Sequence, residues 1–238
     1  MANKKKIEER EKVLKARQAE RNVQIIGLGI VVLLIIAGVW FFSPKGQQQN
    51  QSNVDFGDQP ACERFADIPV ADQYSEPLLN IDLTKQYFAN VKMVTGGEFV
   101  IQLYPDKAPK TVNSFIFLSC KGYFEGVTFH RVLEGFMAQG GDPTGTGGGG
   151  PGYQFANEDS DLTFDKEGVV AMANAGRDTN GSQFFITFVP RPQLNGEYTI
   201  FGQIIEGMNV VKDITLRDPE QNPTHQGDVI ETITITEQ

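Results

Sequence analysis

Twenty consecutive residues, 23–42, read VQIIGLGIVVLLIIAGVWFF, and Gln24 is the only polar side chain among them. A helix of that length rises ~30 Å, the thickness of a bilayer's hydrocarbon core. A core helix of a soluble domain is rarely so long and so apolar. The run therefore divides the chain, because the residues before and after it must lie in separate aqueous spaces. Trp40, Phe41 and Phe42 stand at its end, where an interfacial aromatic belt belongs. A cleaved signal peptide would carry a shorter apolar region and a small-x-small site. The stretch from Val39 to Pro44, VWFFSP, has no such site. An uncleaved membrane anchor is the expectation.

Charge orients it. Residues 1–22 hold eight Lys and Arg against four Glu, a net of +4, whereas the rest of the chain carries −13, making the total −9. Positive flanks stay in the cytoplasm, so the N-terminus is expected inside and everything after Phe42 outside. The basic run is also a candidate nucleic-acid tail. Its interleaved acids, as in Glu8–Lys12 and Glu11–Lys15, instead suit a solvated juxtamembrane helix. The acidic total argues against nucleic acid as a partner, since that affinity rests on neutralising phosphates. Membrane lipid, through residues 23–42, is the first partner expected.

Residues 43–60, SPKGQQQNQSNVDFGDQP, have no hydrophobic period and read as a flexible tether. Residues 61–85 are mixed in composition, and docking against the domain is open, though nothing in them requires it. The expected organisation is a basic segment 1–22, a transmembrane helix 23–42, a linker 43–85 and one domain over 86–238. That domain, of ordinary size, is expected to be monomeric. Two cysteines and two histidines exclude a disulfide scaffold, a Cys-rich zinc site and a multi-His metal centre. No metal or cofactor is expected. Cys62 and Cys120 both fall in the extracytoplasmic part, where a bridge is permitted. The alternative is a surface thiol at Cys62 and a partly buried one at Cys120.

Within the domain, Asn90–Thr95 and Glu98–Leu103 flank Gly96-Gly97, a hairpin signal. A helix is predicted from Pro109, with Val112, Phe115, Ile116 and Ser119 at helical spacing and Gly122 at its end. Short strands are predicted at 127–132, 136–139, 168–173, 183–188, 199–204 and 230–236, with a short helix at 208–214. Many short strands, glycine turns and two helices indicate a mainly β barrel or sandwich.

Two segments carry the chemistry. One is Phe129–Gly141, FHRVLEGFMAQGG, and the other is Val170–Phe188, VAMANAGRDTNGSQFFITF. With the VNSF helix before them and LNGEYTIFGQIIEGMNVV after, they closely resemble the cyclophilin-type peptidyl-prolyl cis-trans isomerases, here of a membrane-anchored, bacterial-like kind. The resemblance covers roughly residues 86–238 and none of 1–85. It implies a closed antiparallel eight-stranded β-barrel with two helices. It also implies isomerase (rotamase) activity on proline-containing unfolded or extended polypeptides, in the service of protein folding. Arg131 matches the catalytic arginine. Phe136, Met137, Phe185 and Leu194 match the apolar proline pocket. Gln139, Gln183, Ala173, Asn174 and Ala175 match positions that contact the substrate backbone and the residue before proline. Tyr198 falls where many members have His.

The chemistry suits these residue types. Rotation about an X–Pro bond faces a barrier of ~18–20 kcal/mol from amide resonance. No covalent step is required. In the twisted state the prolyl nitrogen regains its lone pair and accepts a hydrogen bond, so a donor aimed there binds the transition state better than the ground state. Arg is a planar, permanently charged multiple donor. Strand alternation in FHRV would set Phe129 and Arg131 on the face opposite His130 and Val132. His130 reads as a hydrogen-bonding structural residue, since no acid–base step is needed.

Taken singly, these residues have plainer readings: Phe136, Met137 and Phe185 as core, Gln139 and Asn174 as rim residues, Arg131 as half of an ion pair. Their joint pattern favours the site. Gly145, Gly147 and Gly150 spell a dinucleotide fingerprint, but Pro151 follows where a helix should open. Residues 135–152 hold nine glycines and read as a mobile loop beside the groove. Asn180-Gly181-Ser182 is a formal glycosylation sequon inside a motif needed for folding, and is discounted. Gln193 stands where the cyclosporin-sensitive members have Trp, which implies weak cyclosporin binding. The alternative function is a membrane-tethered peptide-binding chaperone or scaffold. A hollow ligand-binding barrel is disfavoured by 17 Phe, which suggest a filled interior.

Overall fold

A computed structural model describes residues 59–238. The anchor expected at 23–42 and most of the tether lie outside these residues. Among the described residues no helix is long and apolar enough to cross a membrane.

Eight antiparallel strands and two helices follow in the order β1 (Tyr87–Met93), β2 (Glu98–Leu103), α1 (Pro109–Cys120), β3 (Arg131–Leu133), β4 (Met137–Gly140), β5 (Val169–Met172), β6 (Phe184–Thr187), β7 (Ile200–Glu206), α2 (Met208–Lys212) and β8 (Ile230–Glu237). The β1–β2 hairpin turns at Gly96 and Gly97, whose φ values of 92° and 88° are strained for any residue with a Cβ. Helix α1 begins at Pro109, and its first amides are capped from a distance. The Glu158 carboxylate accepts from Lys110 N at 2.9 Å, and from Thr111 N and Oγ1 at 2.8 and 2.7 Å.

The strands form one sheet in the order β3-β4-β6-β5-β7-β2-β1-β8. The expected barrel is not closed by a ladder, because β3 and β8 do not pair. The sheet curls, and residues 126–130 span its seam with single bonds. Gly126 N donates to Ile230 O, Ile230 N to Val127 O and Phe129 N to Asp228 O, each at 2.9 Å. These contacts cover edges that would otherwise stay unpaired.

Two apolar clusters lie on the two faces of this sheet. Val132, Ala138, Phe184, Ile186 and Val170 point inward, into the main core. There Phe115 of α1 packs against Phe124, Phe184 and Phe201 at centroid distances of 5.2–5.6 Å, so the interior is filled. Met137, Phe185, Ala171 and Val169 form a second cluster on the other face. The period-two alternation of strands produces this division.

One expectation is corrected, and one left open is answered. Strand β3 begins only at Arg131, so alternation does not reach back to Phe129. That ring is fully buried in the main core, 6.1 Å from Phe184, and does not share a face with Arg131. The described part of the expected linker, residues 59–85, also lies against the domain. Cys62 and Cys120 form a disulfide across 58 residues, so neither is a free thiol. Phe65 is 1% exposed and packs on Phe117 at 5.4 Å. The buried Arg64 guanidinium donates to Tyr87 Oη at 3.0 Å and Glu237 Oε1 at 3.0 Å. Asn113 of α1 fixes the far end, accepting from Asn80 N at 2.9 Å and donating to Leu78 O at 3.0 Å.

Candidate active site

Cross-strand register builds the site. Arg131 on β3 faces Gln139 on β4, and Gln139 faces Phe185 on β6. Directly opposed residues share a face, so the three side chains form one row on the outer side of the sheet. Met137 lies two residues from Gln139 and so joins that face. The turn between β3 and β4 carries Phe136, and the 3-10 turn Pro192–Leu194 brings in Leu194.

Arg131, Phe136, Met137, Gln139, Ala173, Asn174, Phe185, Leu194 and Tyr198 together line a cavity of about 190 Å³. Drug- and cofactor-sized sites run to ~300–1,000 Å³, so this cavity fits a single ring. Met137 and Phe185 are 2% and 5% exposed and form its floor. Phe164 stacks on Phe185 at 5.9 Å, and Tyr198 meets it edge-on at 5.3 Å. The floor ring is therefore held from two directions.

Ala175 and Gln183 line an adjoining cavity of about 740 Å³, which shares Gln139, Ala173 and Asn174 with the first. An amide relay runs along its edge. Gln139 Nε2 donates to Gln183 Oε1 at 3.0 Å, and Gln183 Nε2 donates to Gly147 O and Gly149 O, both at 2.9 Å. Asn174 Nδ2 is buried at the junction without a hydrogen-bond partner. An orphan donor in a groove is unfavourable until an acceptor arrives. Every side chain expected at the site thus borders one of two connected cavities.

Arg131 is half-buried, and among the described residues no carboxylate pairs with it. Its Cζ lies 5.9 Å from the Phe136 ring centroid. The guanidinium is thus oriented by a ring face while its N–H groups stay available. Arg191, which belongs to neither motif, lies 5.0 Å from the same centroid and donates through Nη2 to Gly135 O. No periodicity or motif marked Arg191.

The glycine-rich loop is pinned. Asp142 Oδ1 accepts from Thr144 N and Oγ1 at 2.7 and 2.8 Å, and Oδ2 accepts from Gly147 N at 2.6 Å. Burial would by itself raise the Asp142 pKa, but donors from Thr144, Gly149 and Gly147 outweigh it and hold the carboxyl below its usual range. No helix opens after Gly150, in keeping with the rejection of a dinucleotide site. His130 is 2% exposed, and neither ring nitrogen makes a hydrogen bond of normal geometry. The Thr128 backbone acts on the ring as a hydrogen-bonding partner. Burial pushes its pKa down, against the opposing pull of Asp142.

Comparison with known proteins agrees with this geometry. The family model described as cyclophilin type peptidyl-prolyl cis-trans isomerase/CLD matches residues 90–236. The chain is 51% identical over 130 residues to a peptidyl-prolyl cis-trans isomerase-like 1 of Rhizopus delemar, covering 53% of this chain and 79% of that one. It is 49% identical over 160 residues to peptidyl-prolyl cis-trans isomerase A of Mycobacterium tuberculosis, covering 59% and 87%. A crystal structure of a Cryptosporidium parvum cyclophilin determined in the presence of the dipeptide Ala-Pro aligns with a TM-score of 0.58 and 38% identity, covering 63% of this chain and 99% of that one. With the family model spanning most of the chain and a cavity of single-ring size at the expected residues, this protein belongs to the cyclophilin-type peptidyl-prolyl cis-trans isomerase family.

Proposed function

We propose that the protein is a bacterial-like, membrane-anchored peptidyl-prolyl isomerase that acts on proline-containing chains outside the cytoplasm. The isomerase activity is that of its family. The anchoring is supported by the uncharged run 23–42 and by the +4 segment before it. The extracytoplasmic side is further supported by the Cys62–Cys120 disulfide, a bond that persists in oxidising compartments.

In this reading the proline ring enters the 190 Å³ cavity, on Met137 and Phe185. Gln139, Gln183 and the Asn174 amide hold the chain before it, and Arg131 donates to the prolyl nitrogen as the amide twists. The donor is permanently charged and set in place beforehand, so its hydrogen bond strengthens as the lone pair returns. The carrying observation is the row Arg131–Gln139–Phe185 beside an apolar cavity, with no carboxylate on the arginine among the described residues. Protease added to sealed cytoplasmic-side-in membranes is expected to digest the domain. Protection of the domain until the membranes are opened would refute the topology.

A further inference from the structure

Residues 59–85 lie outside the range matched by the family model, yet they reach the groove. The segment starts at the Cys62–Cys120 disulfide, on the last residue of α1. Phe65 and Tyr74 both pack on Phe117, at 5.4 and 4.9 Å. Beyond that ring, Tyr74 N donates to Pro151 O at 2.7 Å, and Gln73 Nε2 donates to Gly150 O at 3.0 Å. A close approach of two backbones makes this possible. A Cβ on Gly152, where φ is +98°, would sit 2.8 Å from both Gln73 Oε1 and Tyr74 O. A residue larger than glycine would push the segment away from the groove.

Gln73 thereby becomes a wall of the 740 Å³ cavity, and it is the one lining residue outside residues 90–236. No charged side chain lines that cavity. Its surface mixes amides, hydroxyls and glycine-loop backbone with the apolar Pro151, Ala173 and Ala175. Among the described residues nothing donates to Gln73 Oε1, while its Nε2 is engaged by Gly150 O and Asp72 O. The Gln73 amide, with Oε1 beside Gly152, therefore borders a space large enough for a substrate side chain.

We infer that Gln73 is a specificity-determining residue, reading the side chain two positions before the proline and favouring a neutral hydrogen-bond donor there. This rests on the proposed function, which seats the proline on Met137 and Phe185 and holds the preceding chain at Gln139, Gln183 and Asn174. The larger cavity then lies along the N-terminal continuation of the substrate. A donor such as Gln or Ser at that position reaches Gln73 Oε1. An aliphatic side chain leaves the amide without a partner, and a charged one is desolvated without a counter-ion.

The test uses the full chain in detergent and a peptide series X-Ala-Pro, with X as Gln, Ser, Leu or Val. The readout is the ratio of kcat/KM for X = Gln over X = Leu, measured separately for wild type, Gln73→Ala and Gln73→Leu. One hydrogen bond corresponds to a ratio of about fivefold in wild type, and both variants are expected to bring it close to one. A structural role for Gln73 would lower every peptide alike and leave the ratio unchanged, which would overturn the inference. A flat series in active wild type would overturn it too, whereas no acceleration of any peptide would overturn the proposed function itself.

Discussion

Removing the bridge between Cys62 and Cys120 measures how strongly this cross-link restrains the unfolded chain. The bond joins residues 58 apart. In the chain-entropy treatment, a loop of that length restrains the unfolded chain by about 4 kcal/mol, and measured values centre on 2–4 kcal/mol. The native contacts beneath the bridge are made by other residues and are expected to survive its loss. Phe65 stays buried, Arg64 keeps Tyr87 and Glu237, and Asn113 keeps Asn80 and Leu78. The loss therefore falls on the unfolded state and leaves the folded geometry in place. The perturbation is the Cys62→Ser/Cys120→Ser double variant, followed by circular dichroism in increasing urea. The midpoint is expected to fall by the equivalent of about 2–4 kcal/mol, a large share of the ~5–15 kcal/mol available to a typical domain. The slope should rise slightly, because an uncrosslinked chain exposes more surface on unfolding. A midpoint within about 0.5 kcal/mol of wild type would refute this, because it would mean the cross-link restrains nothing.

Three further outcomes are expected. Asn174→Ala removes the orphan Nδ2 donor and one exposed contact from Gly176 N to Oδ1 at 3.2 Å. Stability should change by less than about 1 kcal/mol while kcat/KM falls about fivefold, measured by urea unfolding and peptide assay. Burial lowers the His130 pKa, so its contribution is complete above about pH 6.5 and is lost as pH falls below that toward the folded value. Asp142, Arg217 and Arg131 are the charges acting on it, and Asp142 does not titrate in that window because its own pKa is held down. Unfolding between pH 7.5 and 5 should show this loss in wild type and a flatter profile in His130→Gln. Cyclosporin should inhibit weakly, since Gln193 is exposed and does not line the proline cavity, and tight inhibition in the isomerase assay would overturn that expectation.

Much of the fold was legible because it is written in local periods. The apolar alternation of Phe99, Ile101 and Leu103, the glycine pair at 96–97 and the helical spacing from Val112 to Ser119 each specify an element alone. The site was legible through the joint pattern of FHRV, GFMAQGG and NGSQFFITF, whose members are distant in sequence but adjacent across β3, β4 and β6. What escaped depends on long-range contact. Residues 59–85 have no period, and they dock through scattered single residues: one cysteine, Phe65, Tyr74 and a buried arginine. Arg191 reaches Phe136 from a turn with no motif of its own. Phe129 broke the alternation because the chain crosses the sheet seam there before β3 begins. The loop that reads as mobile is held by Asp142, Gln183 and Gln73, none of which its own glycines reveal.

The central claim is that one guanidinium stabilises the twisted amide. Exchange NMR on an Ala-Pro peptide, comparing wild type with Arg131→Ala and Arg131→Lys, addresses it directly. Arg131 makes no ion pair among the described residues, so its removal should leave unfolding nearly unchanged. The alanine variant is expected to lose about 10-fold or more in kcat/KM, at least ~1.4 kcal/mol of transition-state stabilisation. The lysine variant should recover only part of that, since an ammonium lacks the planar fork. A folded Arg131→Ala protein that exchanges the peptide at the wild-type rate would contradict the account.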